Sequence, residues 1–216
     1  MELYETLSRL CALGGPSGYE SQVAQVAVEM LWELMDEVSV DRLGNVIAVK
    51  RCGKQGAKRL LLDAHLDEIG LIVSGIEEGF LRFEAIGGVD PRMLPAREVV
   101  ILEKDGPLFG VVTCLPPHVQ TAGDHDKSVA IEALRIDVGM SQEKAAEAVH
   151  IGTPIVYRES IRRLAGDQIC GKALDDRACF AILLRTAELL KEEELDVDVY
   201  IMGSTQEEVS GSGAVV

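Results

Sequence analysis

Three short segments carry side chains equipped for chemistry: Asp63-Ala64-His65-Leu66-Asp67-Glu68, Gly171-Lys172-Ala173-Leu174-Asp175-Asp176-Arg177, and Thr205-Gln206-Glu207-Glu208. Between them they offer one imidazole, several carboxylates and no thiolate pair. That donor set suits zinc or a similar borderline divalent ion. One nitrogen of His65 can face a metal while Asp67 orients the other nitrogen or a neighbouring group. Asp175 sits between Leu174 and a helix start, and its two oxygens allow it to bridge two ions roughly 3.5–4 Å apart. Glu207 and Glu208 are adjacent, so their side chains diverge, one free to bind metal and one to handle protons. Singly these patterns are common, and Asp-Asp-Arg also makes a good helix start because acids are favoured at the positive helix end. Their conjunction is what points to a site, because each segment follows an apolar run or a Gly-bounded loop.

The elements that must position these side chains follow from the hydrophobic pattern. Residues 1–13 read as a helix with Leu3, Leu7, Leu10 and Leu13 on one stripe. Gly14-Gly15-Pro16-Ser17-Gly18 breaks it. A second helix, residues 20–35, buries Val23, Val26, Ala27, Met30, Leu31 and Leu34. Residues 38–40 and 46–50 form strands around the turn Leu43-Gly44-Asn45, and residues 59–64 form a third with His65 at its carboxyl end. If the strand persists past His65, period-2 geometry puts Asp63, His65 and Asp67 on one side. Residues 176–190 make an amphipathic helix through Ala178, Ile182, Leu183, Leu189 and Leu190, and 197–202 make a buried-type strand that runs into Gln206-Glu207-Glu208. Ligands beyond the carboxyl ends of strands are the habit of open α/β sheets.

Between these parts the texture changes. Short β-like runs at 71–76, 80–86, 99–103 and 109–114 alternate with Gly turns, a polar loop covers 116–128, residues 131–138 read as a strand, and Ser141 caps a short helix. The expected organisation is α/β: a catalytic domain of residues 1–68 and 167–216, with an inserted β-rich domain of residues 69–166.

Composition excludes several classes. With 21 Lys+Arg against 36 Asp+Glu the net charge is −15, which disfavours nucleic acid and anionic membrane surfaces as partners. No apolar run approaches the ~20 residues of a membrane span. The five scattered cysteines, without a Cys-x-x-Cys, argue against a disulfide framework and for a reducing cytoplasm. Cys179, inside a helical run, reads as a buried core residue.

The chain resembles the M42 family of metallo-aminopeptidases, which includes glutamyl aminopeptidases and the tetrahedral cytosolic peptidases. The matching stretches are residues 63–70 (DAHLDEIG), 85–92 (AIGGVDPR), Pro116-Pro117-His118, Ile136-Asp137-Val138-Gly139, 171–177 (GKALDDR) and 206–209 (QEEV), in the family's order. The resemblance implies a zinc-peptidase-like α/β/α sandwich with a dinuclear zinc or cobalt site. By position, His65 binds one ion, Asp175 bridges, Glu208 binds the other, Glu207 is the general base and Asp67 orients the site. It also implies short peptide substrates, and self-association through the β module into dimers and up to a dodecamer.

Two departures qualify the match. Where the family continues Gly-Leu-Arg-Gly, this chain has Ser210-Gly211-Ser212-Gly213. The family's remaining acidic and His ligands fall in a C-terminal part beyond Val216. The expectation is therefore a truncated form with an incomplete catalytic domain, weak or inactive alone and poorly soluble. The alternatives are a non-catalytic assembly subunit with a decayed metal site, or a related metal-dependent carboxypeptidase or deacylase.

Overall fold

The computed structural model describes residues 2–116 and 130–215, so His118, His125 and most of the polar loop lie outside the described residues. The chain divides into two compact units, Met1–Glu68 with Glu159–Val216, and Ile69–Arg158.

The first unit is built on a four-stranded sheet. Its strands are β1 (Glu37–Val40), β2 (Val46–Lys50), β3 (Lys58–His65) and, late in the chain, β12 (Val197–Ser204). Their order is β1-β2-β12-β3, with β12 antiparallel to β2 and parallel to β3. Alternation puts Val46, Ala48, Ala64, Val199 and Ile201 on one face. The helices α1 (Leu3–Ala12), α2 (Ser21–Trp32) and α4 (Leu174–Leu190) pack their apolar stripes against that face through Leu7, Leu10, Val23, Ala27, Leu31, Phe180 and Leu184. A small antiparallel hairpin, β10 (Arg162–Arg163) and β11 (Ile169–Cys170), precedes α4.

The expected stripe of α4 is corrected by the structure. Its buried residues are Arg177, Phe180, Ala181, Leu184 and Ala187, while Ile182 and Leu189 are 53% and 59% exposed. The anchor of the inner face is a charged residue, Arg177, which hydrophobic periodicity reads as an outer position. The small side chains of Ala181 and Ala187 complete that face. Cys179 is exposed rather than buried for the same reason, and the neighbouring Asp176 raises its thiol pKa.

The second unit is a closed six-stranded antiparallel barrel, in the order β4-β5-β8-β7-β6-β9. Its strands are β4 (Gly70–Glu77), β5 (Phe80–Ile86), β6 (Glu98–Ile101), β7 (Leu108–Thr113), β8 (Arg135–Asp137) and β9 (Pro154–Tyr157). Inward residues Leu71, Val73, Leu81, Phe83, Val99, Ile101, Val112, Ile136 and Ile155 fill it. Closure leaves the barrel no open edge. The expected strand over 131–138 splits, because Ile131–Ala133 turns as a short 3-10 helix before β8. The helix α3 (Gln142–Ala148) starts at Ser141, whose hydroxyl accepts from the Lys144 amide. Among the described residues no helix is long and apolar enough to cross a membrane.

Candidate metal centre

The parallel pairing of β3 with β12 sets Ser204 opposite His65. Both strands therefore end at the same level, and the segments that follow them, Leu66–Glu68 and Thr205–Glu208, emerge side by side. His65 is buried at 7% exposure. Its Nδ1 lies 3.2 Å from the Asp67 carbonyl oxygen and 3.4 Å from Asp67 Oδ1. With Nδ1 so engaged, Nε2 faces Asp175 Oδ1 at 3.1 Å and Glu207 Oε2 at 3.7 Å. One donor atom each from His65, Glu207 and Glu208 lies within 4.8 Å of the other two. Asp175 touches His65 but stands outside that triplet, and its side chain is 88% exposed.

Asp67 is the hub of the site. Fully buried, it accepts from the Glu207 amide with Oδ1 at 3.1 Å and from the Glu208 amide with Oδ2 at 3.1 Å, and the Ser17 hydroxyl donates to Oδ2 at 2.5 Å. The result is a carboxylate cradling two successive peptide N–H groups, as a helix cap does. Burial alone would raise the Asp67 pKa, but the hydrogen bonds from His65, Ser17 and the two amides outweigh it and hold it low. Burial would likewise push His65 down. The hydrogen bond and charge of Asp67, with Asp175 and Glu207 behind them, instead raise it to about 9. Burial pushes Glu208 up; His65 opposes this, while the charges of Asp175, Glu207 and Asp67 add to it.

Two buried networks hold the three segments in place, and sequence reasoning missed both. In the first, the Glu68 carboxylate accepts from Lys172 Nζ at 2.9 and 3.0 Å, from the Gly15 amide at 3.1 Å and from Arg177 Nη2 at 3.4 Å. Arg177, wholly buried, also donates to the carbonyls of Leu66, Leu10 and Leu13, each at 2.8 Å. Lys172 adds a bond to the Leu13 carbonyl at 2.8 Å, and burial lowers its pKa against the pull of Glu68. The end of α1, the end of β3 and the approach to Asp175 are thereby tied at one point. In that approach Ala173 is left-handed, the Asp175-Asp176 peptide is cis, and regular helix begins only at Arg177. Glu68, Lys172 and Arg177 all fall inside stretches that carry the family resemblance, which was the signal available for them.

In the second network, fully buried Asn45 donates to Asp41 Oδ2 at 2.8 Å and the Gly213 carbonyl at 3.1 Å. Its Oδ1 accepts from the amide and hydroxyl of Thr205 at 2.9 and 3.1 Å. A Cβ on Gly213 would sit 2.3 Å from the Thr205 carbonyl oxygen, so only glycine allows this approach. The Ser210–Ser212 departure is accommodated locally: the two serine hydroxyls lie 2.6 Å apart, and the Ser210 and Gly211 amides return to the Gln206 carbonyl at 3.1 and 3.0 Å.

A unit whose imidazole and carboxylates gather beyond the carboxyl ends of two parallel strands, with a β-rich unit inserted between those strands in sequence, defines a mixed α/β protein of the open-sheet class. The chain is a member of the M42 glutamyl aminopeptidase family, whose family model matches residues 44–216. It is similar to a lysyl aminopeptidase of Pyrococcus furiosus, 36% identical over 99% of this chain and 62% of the relative. Among solved structures it superposes on aminopeptidase APDkam598 from the archaeon Desulfurococcus kamchatkensis with a TM-score of 0.91 at 35% identity, covering 99% of this chain and 58% of that one. It matches the Pyrococcus horikoshii TET1 peptidase, described as assembling into a tetrahedron or a large octahedral shell, with a TM-score of 0.88 at 32% identity, over 99% and 64% of the two chains. The chain thus spans about three-fifths of the length of these proteins.

Proposed function

We propose that this protein is a metal-dependent aminopeptidase that removes N-terminal residues from short peptides. In this reading His65, Asp175 and Glu208 hold two divalent ions, zinc or cobalt, Glu207 is the general base and Asp67 orients the site. The observation that supports it most is the convergence of His65, Glu207 and Glu208 donor atoms at the carboxyl end of a parallel strand pair, in a chain of this family.

The residues present fit such ions. Asp67, Asp175, Glu207 and Glu208 confront a single imidazole, and their mutual repulsion is what a bound cation relieves. One nitrogen, several oxygens and no sulfur suit zinc or cobalt. When bound, divalent ions supply Lewis-acid polarisation of the scissile carbonyl and a lowered pKa for water. The remaining tasks fall to the chain. Asp67 keeps Nδ1 of His65 occupied, so Nε2 is the coordinating atom and must first release its proton. Glu207, with its side chain 52% exposed, is placed to take a proton from the attacking water and pass it to the leaving amine.

By likeness to the TET1 peptidase, self-association is proposed for this protein as well, through the barrel unit. The five unpaired cysteines suit a cytoplasmic location.

The test is a titration of the protein with Zn2+ and Co2+, followed by assays on aminoacyl anilides and their N-acetylated counterparts. Binding should be lost in His65→Ala, and hydrolysis should be confined to free amines. Glu207→Gln should retain metal while kcat falls about 100- to 10,000-fold. No metal binding would favour the assembly-subunit reading, and equal hydrolysis of acetylated substrates would favour a deacylase; either result overturns the proposal.

A further inference from the structure

Asp67 is one of two buried carboxylates that fix the turn carrying Glu207 and Glu208. The other is Glu20, at the start of α2 and 6% exposed. Its Oε1 accepts from the Gly18 amide at 2.8 Å and from the Gln206 amide at 3.0 Å. Three successive peptide N–H groups, those of Gln206, Glu207 and Glu208, are therefore each bound by a carboxylate: the first by Glu20, the next two by Asp67. Acidic residues at the start of a helix usually serve that helix. Glu20 does not, because its side chain makes no capping bond to α2. Among the described residues no Lys, Arg or His stands within ion-pair distance of it. An unpaired buried carboxylate is costly unless hydrogen bonds hold it, and here its bonds go to the loop beside it and to a residue 186 positions away. Gln206 also has a left-handed backbone, φ 59°, which a residue with a side chain adopts at a cost. In that conformation its amide donates to Glu20, and the next two residues, Glu207 and Glu208, each offer a donor atom within 4.8 Å of one from His65.

We infer that Glu20 is a positioning residue for Glu207 and Glu208, acting through the Gln206 peptide; the inference rests on the site reading above. The glutamate matters through its length and its acceptor oxygen. Glu20→Gln keeps both, whereas Glu20→Ala removes the acceptor and Glu20→Asp, with the charge intact, falls one methylene short.

The experiment follows amide hydrogen exchange across residues 203–211 in the metal-free protein, together with Zn2+ affinity measured against a competing chelator. Glu20→Ala should lose protection at Gln206–Glu208 and bind Zn2+ about 10- to 100-fold more weakly. Glu20→Gln should stay within about threefold of the parent protein. Should Glu20→Ala not fold, Glu20→Asp serves in its place with the same expected direction. Unchanged protection and unchanged Zn2+ affinity in the folded Ala or Asp variant would overturn the inference. A parent protein that binds no Zn2+, or a His65→Ala variant that binds as the parent does, sinks the metal-site reading instead, and the exchange measurement alone then decides the role of Glu20.

Discussion

At the scale of single residues, the site depends on charges withdrawn from water. Glu68 is 2% exposed and faces both Lys172 and Arg177, whose side chains are 5% and 0% exposed. Removing one partner from such a cluster leaves the others buried without compensation, a far larger loss than that of a surface ion pair. Glu68→Ala should therefore cost roughly 3–5 kcal/mol in urea unfolding. A loss below about 1 kcal/mol would mean that water enters to solvate Lys172 and Arg177, and that the network does not tie α1 to the strand end. Asp67 differs in kind, since its oxygens point at N–H groups. Asp67→Asn would turn an NH2 toward the Glu207 or Glu208 amide, or toward Ser17. The expected outcome is a folded protein whose Zn2+ affinity has dropped about 10- to 100-fold, measured by chelator competition.

At the scale of elements, the barrel contains a pH-sensitive joint. Glu103, which follows β6, accepts from the His150 amide at 2.8 Å and the Thr153 hydroxyl at 2.7 Å, and its Oε2 lies 3.0 Å from His150 Nδ1, so it fastens the α3–β9 connection. Burial would raise its pKa, but these three bonds prevail and hold it below its ordinary value of about 4.5. A carboxylate depressed on folding contributes stability above its unfolded pKa and loses it as pH falls through the lower folded value. Glu103→Gln should therefore lower the melting temperature at pH 7, and the gap from the parent protein should close on acidification toward pH 3. A gap independent of pH would show the hydrogen bonds to be indifferent to charge. The same scale shows what the sequence makes legible. β3, β12 and the first two helices announce themselves through apolar periodicity, and His65, Glu207 and Glu208 through their place just after it. β9 is harder to read, since it opens on Pro154, although proline is tolerated as a first strand residue. The inner face of α4 went unread because its anchor is Arg177. Ser17, Asn45 and Glu20 stayed hidden for another reason: their partners lie 50, 160 and 186 positions away, and no local pattern records such a bond.

At the scale of the molecule, a net charge of −15 opposes association while one strand invites it. β3 pairs with β12 along one side only, and among the described residues its other edge is open. Leu60 and Leu61 on this strand are 47% and 55% exposed, flanked by Lys58 and Arg59 at one end and Asp63 at the other. An open edge carrying exposed leucines is a template for pairing with another chain, and charges on the strand are the usual defence. The barrel offers a different contact, since Phe109 on β7 is 46% exposed with the Arg158 guanidinium 5.0 Å from its ring centre. The two surfaces predict different behaviour. Pairing along β3 is nonspecific in size, grows with concentration and should be suppressed by Leu61→Lys, which places a charge on the edge strand. Assembly through the barrel should produce discrete species, survive Leu61→Lys and be weakened by Phe109→Glu. Sedimentation velocity across a concentration series separates them. We expect Leu61→Lys to remove the large, heterogeneous species and leave any defined oligomer intact, because closure of the barrel gives that unit no free edge through which to aggregate. If Leu61→Lys instead abolishes the defined oligomer, assembly runs through the sheet and the proposed role of the barrel is wrong.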